Sequence, residues 1–183
     1  RFITVTLTPD AILQIGILPT SKVLRSWLST LDVISYLLVQ NHINTDPLHR
    51  EATPIYSDVV NLSNELKQQQ VVPDWISKWT NLQILTCTKI DDHMQKLDIL
   101  FEGKVSWLLS KYLPPKTSIF LANSMSVRYA EYFWTLGNKK HSIYFNRGAN
   151  GIDGTLSTAM GTTQSKNPSV LLTGDLAFLH DTN

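Results

Sequence analysis

Three turns in the second half of this 183-residue chain hold residue types that bind metal ions and anions. Gly174-Asp175-Leu176 follows the apolar run Val170-Leu171-Leu172-Thr173. A carboxylate where a buried strand emerges is a hard oxygen ligand for Mg²⁺, an ion that keeps waters and shares its remaining positions with phosphates. The same Asp could instead cap a following helix or order a turn. The stretch 146–154 carries Gly148, Gly151 and Gly154, which permit positive φ and close backbone approach to a ligand. It lacks the Gly-Lys-Ser/Thr of a phosphate loop and the spacing of a dinucleotide fingerprint. Ile152 is apolar at the mouth of this polar loop. Taken alone it belongs in the core; the alternative is a hydrophobic post against a bound ring. The third turn is Asn123-Ser124-Met125-Ser126-Val127-Arg128. Arg128 and Arg147 leave two of these turns with planar forks of donors for carboxylate or phosphate oxygens. Two arginines near one sheet edge suit an anionic ligand such as a dicarboxylate, although surface ion pairing, for example of Arg128 with Glu131, explains an isolated arginine.

Other chemistries find no support. The five histidines show no His-Glu-x-x-His or similar metal spacing, and His180-Asp181 has no Gly-x-Ser-x-Gly nucleophile elbow to serve. Cys87 is the single cysteine, so no internal disulfide and no Cys-x-x-Cys site can form. Sixteen Lys and Arg against fifteen Asp and Glu give a net charge of +1, without the basic excess of a nucleic-acid binder. Charged residues make up 17% and apolar ones 43%, which marks a globular chain. No apolar run approaches the roughly 18 residues of a membrane span.

The elements that must position these turns follow from periodicity. Residues 1–19 look irregular. Thr20 or Ser21 can cap a helix whose face is Val23, Leu24, Trp27, Leu28 and Leu31. Residues 33–39 read as a buried strand, 40–54 as loop, 55–60 as a short strand and 62–69 as a helix. Pro73 opens a longer helix with Trp75, Ile76 and Trp79 on one face, more simply a core stripe than a stacking platform. Residues 101–113 form another helix, stopped by Pro114-Pro115. Strand and helix then alternate through strand 118–122, helix 126–134, strand 142–145, helix 153–161 and strand 169–173. This is the grammar of an α/β fold with parallel sheets flanked by helices, and its ligands are expected beyond the carboxyl ends of the strands. The three turns should therefore share one edge. A join between two domains is expected in 91–101. The chain, which starts at Arg1 and ends just behind Gly174-Asp175, is expected to be an internal piece of a longer protein.

The blocks Asn146-Arg147-Gly148-Ala149-Asn150-Gly151-Ile152-Asp153-Gly154 and Gly174-Asp175-Leu176-Ala177-Phe178-Leu179-His180-Asp181 closely resemble the SEPHCHC synthase family of thiamine diphosphate enzymes in menaquinone and phylloquinone synthesis. Asn123 to Arg128, Phe101-Glu102-Gly103 and Leu18-Pro19-Thr20-Ser21-Lys22 resemble the same family. The resemblance implies a middle domain at 1–96 and the N-terminal part of the diphosphate-binding domain at 97–183. It implies thiamine diphosphate with Mg²⁺, or Mn²⁺ in its place, and a reaction that decarboxylates 2-oxoglutarate and adds the succinyl-semialdehyde unit to isochorismate.

Carried onto this sequence, the resemblance makes Asp175 a metal ligand, brings Gly174 and Leu176 to the cofactor diphosphate, and makes Ile152 the post that keeps the cofactor bent. It gives Arg128, Arg147, Ser124 and Lys22 to the substrate carboxylates. The activating glutamate and the second metal ligand are expected outside these residues, so the piece alone is expected to be inactive. No catalytic side chain is assigned within it. The resemblance further implies a homodimer or homotetramer when complete, in bacterial cytoplasm or plastid stroma. A different thiamine diphosphate decarboxylase or carboligase, and a non-catalytic module retaining the sheet, are the alternatives.

Overall fold

The computed structural model describes residues 7–39, 45–65, 73–147, 151–164 and 167–181. It divides into two compact units, Arg1–Leu85 and Thr86–Asn183. Each holds a three-stranded, all-parallel sheet with helices, so the chain is α/β.

In the first unit the order is β1 (Ala11–Ile15), α1 (Lys22–Ser29), β2 (Ile34–Val39), β3 (Thr53–Tyr56) and α2 (Val59–Glu65), leading into α3 (Pro73–Lys96). β2 lies centrally, with Leu13 opposite Tyr36 on one side and Leu38 opposite Ile55 on the other. Its residues Leu37, Leu38 and Val39 are buried in the local core with Leu7, Leu28 and Leu62. Of the two candidate caps for α1, the structure selects Ser21, whose hydroxyl accepts from Leu24 N at 3.2 Å.

Three expectations change here. The lead-in read as irregular contains β1. Its one deeply buried residue is polar Gln14, which donates to Gly16 O and accepts from Arg50 Nη2 at 3.1 Å, so an apolar-in alternation never forms. β3 begins at Thr53, inside the stretch read as loop, and tolerates Pro54 because it pairs only on the β2 side. The Val59-Val60 pair read as strand opens α2 instead, because Asp58 Oδ1 accepts from Asn61 N at 2.8 Å and caps that turn. The expected end of that helix, 66–69, lies outside the described residues.

The Trp75/Ile76/Trp79 face is only partly covered: Ile76 is 47% exposed, while Trp79 packs its ring 6.0 Å from Trp27 and 5.9 Å from Trp75.

The second unit takes in the last turns of α3 and then runs α4 (Glu102–Tyr112), β4 (Ser118–Leu121), α5 (Met125–Phe133), β5 (Ser142–Phe145), α6 (Thr155–Gly161), β6 (Ser169–Leu172) and α7 (Asp175–His180). Asp91 ties α3 to α4, accepting from Trp107 Nε1 and Lys111 Nζ, each at 2.7 Å. Gly103 admits the edge-on pair of Phe101 and Phe133, since a Cβ there would lie 2.5 Å from the Phe101 ring.

The strand order is β5-β4-β6. Ser118, Ile119, Phe120 and Leu121 are all buried and make β4 the driest strand, and Ile119 and Leu121 pack with Ala130 of α5. The chain leaves β4 for one neighbour and later returns to the other, so the sheet reverses direction at the carboxyl end of β4. That is the topological switch point where α/β sheets bind ligands.

Candidate functional site

The three turns do share that edge. A cavity of about 510 Å³ opens beyond the strand ends of the second unit. The turn after β4 contributes Ser124, the loop before α6 contributes Ile152, and the turn after β6 contributes Gly174, Asp175 and Leu176. Glu102 and Ser106 of α4 and Tyr129 of α5 close another wall.

Each turn is shaped by local physics. Ser124 sits at φ 66°, ψ −129°, a region that L-residues avoid at a cost of about 1–3 kcal/mol. Backbone strain of this kind on a cavity wall is a mark of a functional position. Asn123 Nδ2 donates across the edge to Gly151 O at 3.2 Å, joining the β4 turn to the Ile152 loop. Gly154, the N-cap of α6, adopts φ 72° and brings no side chain to cap the helix. Asp181 does so from the far end of α7: its Oδ1 accepts from Gly154 N at 3.1 Å and its Oδ2 from Ser157 N at 2.8 Å. The Ser157 amide, followed by those of Gly154 and Leu156 and the Ser157 hydroxyl, outweighs burial and holds the Asp181 carboxyl below its ordinary range.

Asp175 is the first residue of α7, and its Oδ1 accepts from Leu176 N at 2.8 Å. Gly174 is the N-cap and brings no side chain, so Asp175 does not cap α7; its contact with the next amide orders the turn and leaves Oδ2 without a hydrogen bond among the described residues. Tyr129 shows the polarity of the facing wall. Desolvation, then the Glu102 carboxylate that it hydrogen-bonds, holds its phenol above the ordinary value.

The structure also separates residues that the sequence grouped. Arg128 and Arg147 are both half-buried, but neither lines the cavity, and Arg128 Nη1 lies 3.6 Å from Met125 Sδ. Lys22 is exposed at the start of α1, in the first unit. Gly148, Ala149 and Asn150 lie outside the described residues. Conversely, the roles of Ser106, Tyr129 and Asp181 carried no signal in the sequence. Ser106 and Tyr129 look like ordinary helix residues, and the partners of Asp181 are 24 to 27 positions away.

A diphosphate and a divalent cation fit what is present. A Cβ built on Gly174 meets nothing within 4 Å, so the backbone after β6 faces open space. Ser106 Oγ is fully buried on the cavity wall with no hydrogen-bond partner among the described residues. Among the described residues no group of three or more His, Cys, Asp or Glu could hold a metal. A lone carboxylate such as Asp175 would hold only a cation that takes its remaining ligands from phosphate oxygens and water. Among the described residues no helix is long and apolar enough to cross a membrane.

No family model matches the chain. Curated proteins do. The chain is 47% identical over 181 residues to the 2-succinyl-5-enolpyruvyl-6-hydroxy-3-cyclohexene-1-carboxylate (SEPHCHC) synthase of Rippkaea orientalis, covering 97% of this chain and 31% of that protein. It is 47% identical over 182 residues to the synthase of the same name from Acaryochloris marina, and 44% identical over 179 to that from Nostoc, with the same coverage. By sequence the chain resembles one stretch of the SEPHCHC synthases. It spans about a third of the length of these relatives.

Proposed function

We propose that this chain is part of a SEPHCHC synthase, a transferase of menaquinone or phylloquinone synthesis that decarboxylates 2-oxoglutarate and joins the resulting four-carbon unit to isochorismate. In this reading residues 1–96 are the middle domain and residues 97–183 the opening part of the diphosphate-binding domain. The observation that carries it is the meeting of Ile152 and Asp175 on one cavity at the sheet's switch point. The names of the relatives add the product of the reaction.

Bound there, thiamine diphosphate would supply the carbanion chemistry that no side chain offers. The chain's own residues bind and orient. Asp175 would hold Mg²⁺, or Mn²⁺, and Gly174 and Leu176 would let the diphosphate approach the backbone. Ile152 would support the organic part of the cofactor. Ser124 presents its hydroxyl on the cavity wall, and Arg128, Arg147 and Lys22 are assigned to the carboxylates of the two substrates. Fixed guanidiniums would offset the repulsion between those carboxylates and the diphosphate, and the gain is largely one of orientation.

The test follows CO₂ release from 2-oxoglutarate by the complete protein with thiamine diphosphate and Mg²⁺, with and without isochorismate. The reading requires an isochorismate-dependent product. Decarboxylation with no product from isochorismate would overturn the acceptor, and no decarboxylation at all would overturn the reaction.

A further inference from the structure

α7 carries a carboxylate at each end. Asp175 opens it on the cavity, and Asp181 follows its last residue, roughly 9 Å along the axis at 1.5 Å per residue. Fewer than two turns of helix link the two groups, so one cannot shift without the other. Asp181 does not face the cavity. It reaches the start of α6, where Gly154 lies two residues after Ile152.

The start of a helix leaves amides unpaired, and a residue at the N-cap normally supplies the acceptor. Here the N-cap is a glycine with no side chain, and the acceptor comes from another element. Both Asp181 oxygens are used: one for Gly154 N, the other for Ser157 N and, at 3.3 Å, the Ser157 hydroxyl. On its other side the same loop is held by Asn123 at Gly151. Ile152 is thus held between Asn123 on one side and, on the other, two groups of the segment that begins at Asp175: Asp181, and His180, whose Nδ1 lies 3.5 Å from Asp153 Oδ1.

We propose that Asp181 is a positioning residue, whose carboxylate sets the spacing between Ile152 and Asp175 by clamping the loop of the first to the helix of the second. The inference rests on the cofactor reading above, in which Ile152 meets the organic part of the ligand and Asp175 the metal and diphosphate. A ligand that touches both ends should sense the clamp. A ligand that touches only the Asp175 end should not.

The experiment measures by calorimetry, in the complete protein with Mg²⁺, the affinity for thiamine diphosphate and separately for inorganic pyrophosphate. Asp181→Ala is expected to weaken thiamine diphosphate on the order of tenfold or more, because small misplacements of positioned groups carry large penalties, and to move pyrophosphate by less than about twofold. If Asp181→Ala does not fold, Asp181→Asn, which keeps the shape and one acceptor oxygen, carries the same comparison with a smaller loss. Combining Asp181→Ala with Ile152→Ala should abolish most of the Asp181 effect, since the clamp acts through that side chain. Equal losses for both ligands, or full additivity with Ile152→Ala, would show that Asp181 only stabilises α6 and overturn the proposal. Unchanged thiamine diphosphate affinity in Asp181→Ala would overturn it as well. Failure of the unsubstituted protein to bind either ligand would instead overturn the cofactor reading, and the inference with it.

Discussion

Asn123 and Gly151 are 28 residues apart in sequence, yet the amide of the first donates to the carbonyl of the second at 3.2 Å. The bond joins the end of the driest strand to the loop that carries Ile152. It gives the cavity a fixed rim on the side opposite α7, and it makes the response of the site to substitution specific enough to measure.

Asn123→Ala should loosen that rim. The expected result is a several-fold loss of thiamine diphosphate affinity with a stability loss of about 0.5–1.5 kcal/mol, the usual net value of one hydrogen bond. Calorimetry and urea unfolding measure the two quantities. A stability loss with unchanged affinity would remove Asn123 from the site.

Asp175→Ala should abolish Mg²⁺-dependent binding of thiamine diphosphate while leaving the fold intact. The residue is exposed, and exposed substitutions stay within about 0.5 kcal/mol. Titration of cofactor with and without Mg²⁺ checks this. Retained metal-dependent affinity would contradict the ligand role.

Lys139 caps α4 from outside, with Nζ donating to Ser110 O and Leu113 O at 3.0 Å and to Lys111 O at 2.5 Å. Lys139→Met keeps the aliphatic stem and removes the donor. A loss of about 1–3 kcal/mol in urea unfolding is expected, from one charged donor and its favourable place at a helix C-terminus. No loss would mean that water replaces the ammonium at these carbonyls.

His141 should make the second unit sensitive to mild acid. Burial, then the charge of Lys139, holds its imidazole below the usual value against a weaker opposing contribution from the Thr117 backbone. The fold therefore prefers the neutral ring. Between the ordinary value near 6.5 and the lower folded value the unfolded chain binds more protons, so stability falls as pH drops through that window and levels off beneath it. Unfolding curves of His141→Phe should lose this slope while keeping the plateau above pH 7. An unchanged slope would point to another group.

Much of the architecture was legible because it depends on local patterns. The apolar run of β2, the hydroxyl before α1, the double proline after α4 and the strand-helix alternation from Ser118 onward each act within a few residues. Two of the three misreadings in the first unit share an origin. Gln14 is buried because Arg50 and Gly16 satisfy it, and Val59 is helical because Asp58 caps it; both partners override the propensity of the residue itself.

For the site, sequence determined the chemical types: an acidic residue after an apolar strand, an isoleucine in a glycine-bearing loop, a serine at a strand end. It also carried the resemblance to the SEPHCHC synthases, which identities of 44–47% to three of them bear out. Only the tertiary structure decided that Ser124, Ile152 and Asp175 share one cavity while Arg128 and Arg147 do not line it, and that Asp181 joins two of the segments. The reason is physical. Helix caps and strand periodicity act over a few residues, whereas the order β5-β4-β6 brings together turns some 25 to 50 residues apart only when the sheet closes around β4.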